Sequence, residues 1–263
     1  MVHFPPEIIE QFFLYTDVLK TSPRRERYLR AWSLVSRTWR GVAQRILFSR
    51  VVLTGTRAVC SFEDAIAETP FLIDYIKWFV MTVPLDGPHP AAEEVLETLN
   101  NLRYLGVHQM RNYGRPLHPN FHSPLSITLS SKRLTQLSLC TIDKFPVSLF
   151  RYCGALQALA IESCTFDLIG AGSVHQLQWQ TGYQRPRLDT FAIGNTHCLD
   201  IRDPHILEWF MGADSTLDFS KLKTFRCLGM CELGHTYDII CKFYSFCSSS
   251  LESIVADSPV RKS

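Results

Sequence analysis

Apolar residues recur along this chain in two rhythms, and before residue 50 the rhythm is helical. In "HFPPEIIEQFFLYTDVL", Pro5, Pro6 and Glu7 suit a helix start, since proline's fixed φ fits the first helical position and a carboxylate is favoured at the positive end of the dipole. Ile8, Ile9, Phe12, Phe13, Val18 and Leu19 then crowd more surface than one buried stripe requires. A second helix is expected from Ser22 as cap and Pro23 as first residue, with Tyr28, Trp32, Val35 and Trp39 at spacings of four, three and four on one face. Beyond a break expected near Thr38 or Gly41, Trp39, Val42, Ala43, Ile46 and Leu47 repeat the pattern as a third short helix. Three helices in about fifty residues make a small bundle, near the lower size limit for an independent fold.

From residue 76 onward a different frame repeats, of the form L-x-x-L-x-L. It reads Ile76, Phe79, Met81; Leu102, Leu105, Val107; Leu134, Leu137, Leu139; Leu156, Leu159, Ile161; Leu188, Phe191, Ile193; Leu222, Phe225, Cys227; and Leu251, Ile254, Ala256. The starts lie 26, 32, 22, 32, 34 and 29 residues apart, which predicts one strand per unit followed by a helical or irregular return of variable length. Strand side chains alternate, so the frame residues point inward and those between them line one continuous sheet face. Trp78, Tyr104, His108, Gln136, Glu162 and Arg226 are the candidate contacts on that face, the aromatic and Arg side chains first because such residues carry interface energy disproportionately. "RNYGRPLHPNFHSPLS", from Arg111 to Ser126, and "GAGSVHQLQWQTGYQRPR" read as loop insertions. Only seven residues follow Ala256, too few for a terminal unit with a polar outer face, so the array is expected to lack a complete C-terminal cap.

Charge changes this picture at one end only. The 263 residues carry a formal net charge of +2, but residues 1–50 hold nine basic side chains against four acidic ones, which makes the amino-terminal fifth a basic module. Attraction to an acidic protein fits that charge; no DNA- or RNA-binding motif accompanies it, so no nucleic-acid partner is expected. Asp74 and Lys77 interrupt the most hydrophobic window and the start is acidic rather than basic, so neither a membrane span nor a signal peptide is expected and the compartment reads as cytoplasmic or nuclear. Nine cysteines, an odd number without tight spacing, read as small buried hydrophobes. Cys227, Cys231, His235, Cys241 and Cys247 match no common zinc spacing, and Gly170-x-Gly172 lacks the third glycine of a dinucleotide loop. With no nucleophile elbow, Walker loop or H-E-x-x-H, the expectation is a non-enzymatic protein without metal or cofactor.

"FPPEII", "SLVSRTWR" and "ILFSRVVL" together are similar to the F-box motif, which opens Leu-Pro-x-Glu-Leu or Ile and carries Val-Ser-x-x-Trp before a closing apolar cluster. Phe4 stands where Leu is usual, and the loop "KTSPRRER" is longer and more basic than the common pattern. The chain most resembles F-box proteins of fungal type, in which this module precedes irregular leucine-rich repeats. The resemblance implies an α/β protein: a three-helix F-box at 1–50, a connecting segment at 51–75 packed on the first repeat, and a leucine-rich-repeat-like solenoid at 76–263. It further implies docking onto a Skp-type adaptor, and through it a cullin, by Phe4, Pro5, Pro6, Ile8, Ile9, Leu34, Val35 and Trp39. The repeats would then hold an unidentified protein substrate for ubiquitin transfer. The alternatives are a repeat scaffold not linked to a ligase and, further off, a basic nucleic-acid-binding module.

Overall fold

The computed structural model describes residues 5–15, 23–83, 90–109, 117–168, 185–194, 205–213, 215–228 and 234–257. The chain begins with three helices, α1 (Pro6–Tyr15), α2 (Pro23–Trp32) and α3 (Arg37–Phe48). Ile9, Leu29, Val42 and Ala43 are buried between them, and Trp32, Trp39, Ile46 and Leu47 pack around that centre. Arg45 of α3 reaches Glu10 of α1 at 3.8 Å. The break between the second and third helices falls earlier than the sequence reading places it. Ser36 adopts an extended conformation and its hydroxyl accepts the Trp39 N–H at 3.3 Å, an N-cap that satisfies one orphan donor and starts α3 at Arg37. Val35 therefore leaves the helical face expected to hold it and sits in the connecting turn, while Trp39 lies in the first turn of the next helix and meets Trp32 edge-on, at 6.4 Å between ring centres.

The rest of the described chain is an α/β unit built on one parallel sheet. In chain order it comprises β1 (Arg50–Thr54), α4 (Thr56–Glu68), β2 (Trp78–Val83), α5 (Pro90–Thr98), β3 (Tyr104–Gln109), α6 (His122–Leu129) and β4 (Gln136–Cys140). There follow β5 (Phe145–Pro146), β6 (Ala158–Glu162), β7 (Phe166–Asp167), β8 (Thr190–Gly194), α7 (His205–Met211), β9 (Thr224–Leu228), α8 (Gly234–Cys247) and β10 (Ser253–Asp257). Eight of the strands form the main sheet in the order β1-β2-β3-β4-β6-β8-β9-β10, and β5 pairs with β7 in a small second sheet. Each main strand lies beside its predecessor, as expected of a solenoid-like array. The residue just before each strand also has an equivalent role. Carbonyls of Ser49, Lys77, Arg103, Thr135, Gln157, Asp189 and Lys223 each accept two successive N–H groups from the next unit, at 2.8–3.1 Å.

The inward positions align in two rows. Val51, Phe79, Leu105, Leu137, Leu159, Phe191 and Phe225 make one, and Leu53, Met81, Val107, Leu139, Ile161 and Ile193 the other. All are buried in a single core that continues into the helices. An eighth copy of the frame, Phe48, Val51, Leu53, precedes those expected, so the sheet starts at Arg50 and not at residue 76. Residues 51–75 are thus the first strand-and-helix unit rather than a connector, because Val51 and Leu53 alternate inward beside Phe79 and Met81.

Two further expectations change. Part of the expected loop at 111–126 is helical: a 3-10 turn at Pro119–Phe121 leads into α6. Leu117, Phe121, Leu125 and Leu129 recur every four residues and are buried, and Pro124 occupies the first turn, where its missing N–H has no intrahelical partner to lose. Ile254 was expected inward, yet it is 51% exposed on the edge strand β10, with Phe246 and Tyr244 of α8 also exposed. Gly170 and Gly172 lie outside the described residues. Among the described residues no helix is long and apolar enough to cross a membrane.

Candidate functional site: two recognition surfaces

The residues expected to meet an adaptor separate into surface and core. Pro5, Pro6 and Ile8 are exposed at the start of α1, and Leu34 and Val35, in the α2–α3 turn, are 79% and 63% exposed. Trp39 is half-buried. Ile9 is a correction. At 2% exposure it belongs to the bundle centre with Leu29, Val42 and Ala43, because consecutive residues of a helix point 100° apart and Ile8 takes the outer side. Phe4 lies outside the described residues.

On the sheet face, register decides which side chains meet. Arg50, Trp78, Tyr104, Gln136 and Ala158 occupy one row across five neighbouring strands. The Trp78 and Tyr104 rings stack at 4.6 Å between centres and 12° between planes, while the Arg50 guanidinium lies 3.8 Å over the indole centre. The ring pair contributes about 0.5–1.5 kcal/mol beyond area burial and the cation over the indole about 0.5–1 kcal/mol. Sequence reasoning missed Arg50. The signal was present, since the Phe48 frame puts Arg50 at the position that Trp78 and Tyr104 hold in the next two units.

The next row was expected to be exposed, but Val80 and Gly106 are buried there. A Cβ at position 106 would lie 2.8 Å from Val80 Cγ2 and 3.3 Å from Tyr104 Cε1. Glycine at 106 leaves the space that the Val80 side chain and the Tyr104 ring occupy. Gln136 is exposed beside this stack, and Arg226 is exposed five strands from Trp78 along the sheet order, so these two candidates do not meet.

His108 and Glu162 belong to a third row, flanking Cys140 on the strand between them. Burial pushes the His108 imidazole below its ordinary pKa, and the Glu162 carboxylate only partly offsets this. Burial also lowers His122, against a smaller opposing contribution from the Leu117 backbone. Both histidines therefore bind protons more readily in the unfolded chain. Stability is expected to be full above about pH 6.5 and to decline as pH falls from there through the folded-state pKa values. Urea midpoints between about pH 7.5 and 5 measure this, and His108→Gln should flatten the slope. A midpoint that rises on acidification over that window would refute the assignment.

Cys153 and Cys247 are buried, and Cys60, Cys140, Cys164, Cys227 and Cys241 are half-buried. Desolvation disfavours the thiolate, pushing Cys164 up to about 12 and Cys153 further still. Cys231 lies outside the described residues, and no group of three or more His, Cys, Asp or Glu placed to hold a metal ion occurs among the described ones. The two surfaces thus offer recognition chemistry: exposed apolar side chains on the bundle, and a cation-capped aromatic stack, an imidazole and a carboxylate on the sheet. No family model matches the chain, and no curated protein matches it.

Proposed function

We propose that this chain is the substrate-recognition subunit of a Skp-cullin-F-box type ubiquitin ligase. Its amino-terminal bundle is the adaptor-docking F-box, and its sheet is a degenerate leucine-rich-repeat surface that holds a protein substrate. The observation that carries the reading is the division into two cores. A bundle centred on Ile9, Leu29, Val42 and Ala43 closes on itself yet leaves Ile8, Leu34 and Val35 outside, and it leads directly into eight equivalent parallel strands. Apolar side chains held outside a closed core mark an interaction surface. Catalysis is by proximity, with the chemistry supplied by other subunits.

The experiment is adaptor capture by the wild type and by Leu34→Asp/Val35→Asp. Both positions are exposed in a turn, so the variant should keep its helices. Burying each side chain contributes about 1.5–3 kcal/mol, and its loss should weaken adaptor binding at least about tenfold. Equal capture by the folded variant would sink the reading and leave a repeat scaffold without a ligase.

A further inference from the structure

Charge is sorted along the strand direction of the main sheet, and the basic end holds a cleft that neither recognition surface uses. We infer that the rim formed by the strand N-termini binds an acidic, carboxylate-rich segment of a protein, which deepens the receptor reading by naming the substrate class. Lys77 and Arg103 stand immediately before β2 and β3, Lys132 in the turn before β4, Arg187 before β8, and Lys221 and Lys223 before β9. All six are exposed, and Lys77, Arg103, Lys132 and Lys221 take part in no ion pair among the described residues. At the opposite ends of the strands acidic side chains prevail, Asp143, Glu162 and Asp167 against Lys144.

Between Lys132 and Arg187 the rim opens into a cleft of about 730 Å³, with Thr135, Gly154, Gln157 and Asp218 on its lining. The Gln157 amide can donate to an oxyanion while the cations flank it; the Thr135 hydroxyl already donates to the Arg103 carbonyl at 3.3 Å. Arg187 is held in place by Asp218 at 3.5 Å. From β2 to β9 the rim crosses five strand spacings of about 4.8 Å, a span of about 24 Å, which an extended segment of about seven or eight residues covers. The occupant is protein rather than nucleic acid because Asp189, Asp218 and Glu252 interrupt the basic row. A phosphate backbone places negative charge at every step and would meet each of these carboxylates; a polypeptide can place a neutral or basic residue opposite them.

The test uses the full chain and a fluorescent peptide of about twelve residues alternating glutamate and serine, long enough to span the rim. Controls are the same peptide with glutamine for glutamate and a single-stranded oligonucleotide of similar length. The glutamate peptide should bind at low salt and weaken as salt rises, and Arg103→Glu/Lys132→Glu should lower its affinity about tenfold or more. The glutamine peptide should not bind measurably. Lys77→Glu/Lys221→Glu, at the same rim, serves if the first variant melts below the wild type. The inference fails if a folded rim variant binds the glutamate peptide as well as the wild type does, if the glutamine peptide binds equally, or if the oligonucleotide binds more tightly. Adaptor capture on the same preparations keeps the two proposals apart: adaptor captured with the peptide ignored overturns the rim, whereas peptide bound with the adaptor ignored supports the rim and overturns the ligase.

Discussion

Phe191→Ala should destabilise the protein by about 3–5 kcal/mol, a large part of the 5–15 kcal/mol that holds a typical domain. Phe191 is fully buried on β8, where its ring meets Phe210 at 5.7 Å, Phe219 at 5.4 Å, Phe225 at 5.8 Å and Phe243 at 5.5 Å. Those partners come from α7, the segment before β9, β9 itself and α8, so one ring joins four elements and no single neighbour can move to refill the space. Close packing makes such a cavity costly. In an array whose units contact only their neighbours, the loss should be local at first. Amide exchange in β9 and α8 should speed up before that in β2 and β3. Urea unfolding measures the total, and a change below about 1 kcal/mol would mean that the aromatic cluster repacks freely.

Ile9→Ala should open the bundle while leaving the sheet standing. Removing a buried isoleucine side chain costs about 2–5 kcal/mol, and a core in a unit of this size supplies only about 3–5 kcal/mol. Ile9 is one of four buried apolar residues at the bundle centre among the described residues, and none of them belongs to the large core that runs from Val51 to Cys247. The expected result is rapid proteolysis within residues 5–48, loss of adaptor capture, and an unchanged melting transition for the rest. A single cooperative transition shifted as a whole would show instead that the bundle and the sheet fold as one unit through their contacts at Phe48 and α3. Comparison with Leu34→Asp/Val35→Asp separates the two ways of losing an adaptor, because that variant changes the surface and spares the core.

How far these elements could be read from the chain depended on whether a pattern was local. The repeating frame predicts strands because it reflects alternation within five or six residues, and all but the last two of its seven expected copies are deeply buried at every frame position. The eighth copy escaped because Phe48, Val51 and Leu53 overlap the closing apolar cluster of the bundle, and the same residues satisfy both patterns. The helix at 122–129 escaped because Pro119 and Pro124 read as turn signals, although the four-residue recurrence from Leu117 to Leu129 was there to be counted.

The sequence by itself determined an α/β protein with a helical, basic start and parallel strands at irregular intervals, since period, proline placement and charge are properties of neighbours along the chain. Only the tertiary structure decided which exposed positions meet. That Arg50 caps Trp78, that Gly106 leaves space for the Val80 and Tyr104 side chains, that Ile9 points inward while Ile8 points outward, and that a basic rim opens into a cleft beside Lys132 all depend on strand register and helix packing. The physical reason is that residues 26 to 32 apart in sequence come within one strand spacing of each other only when the whole array has formed.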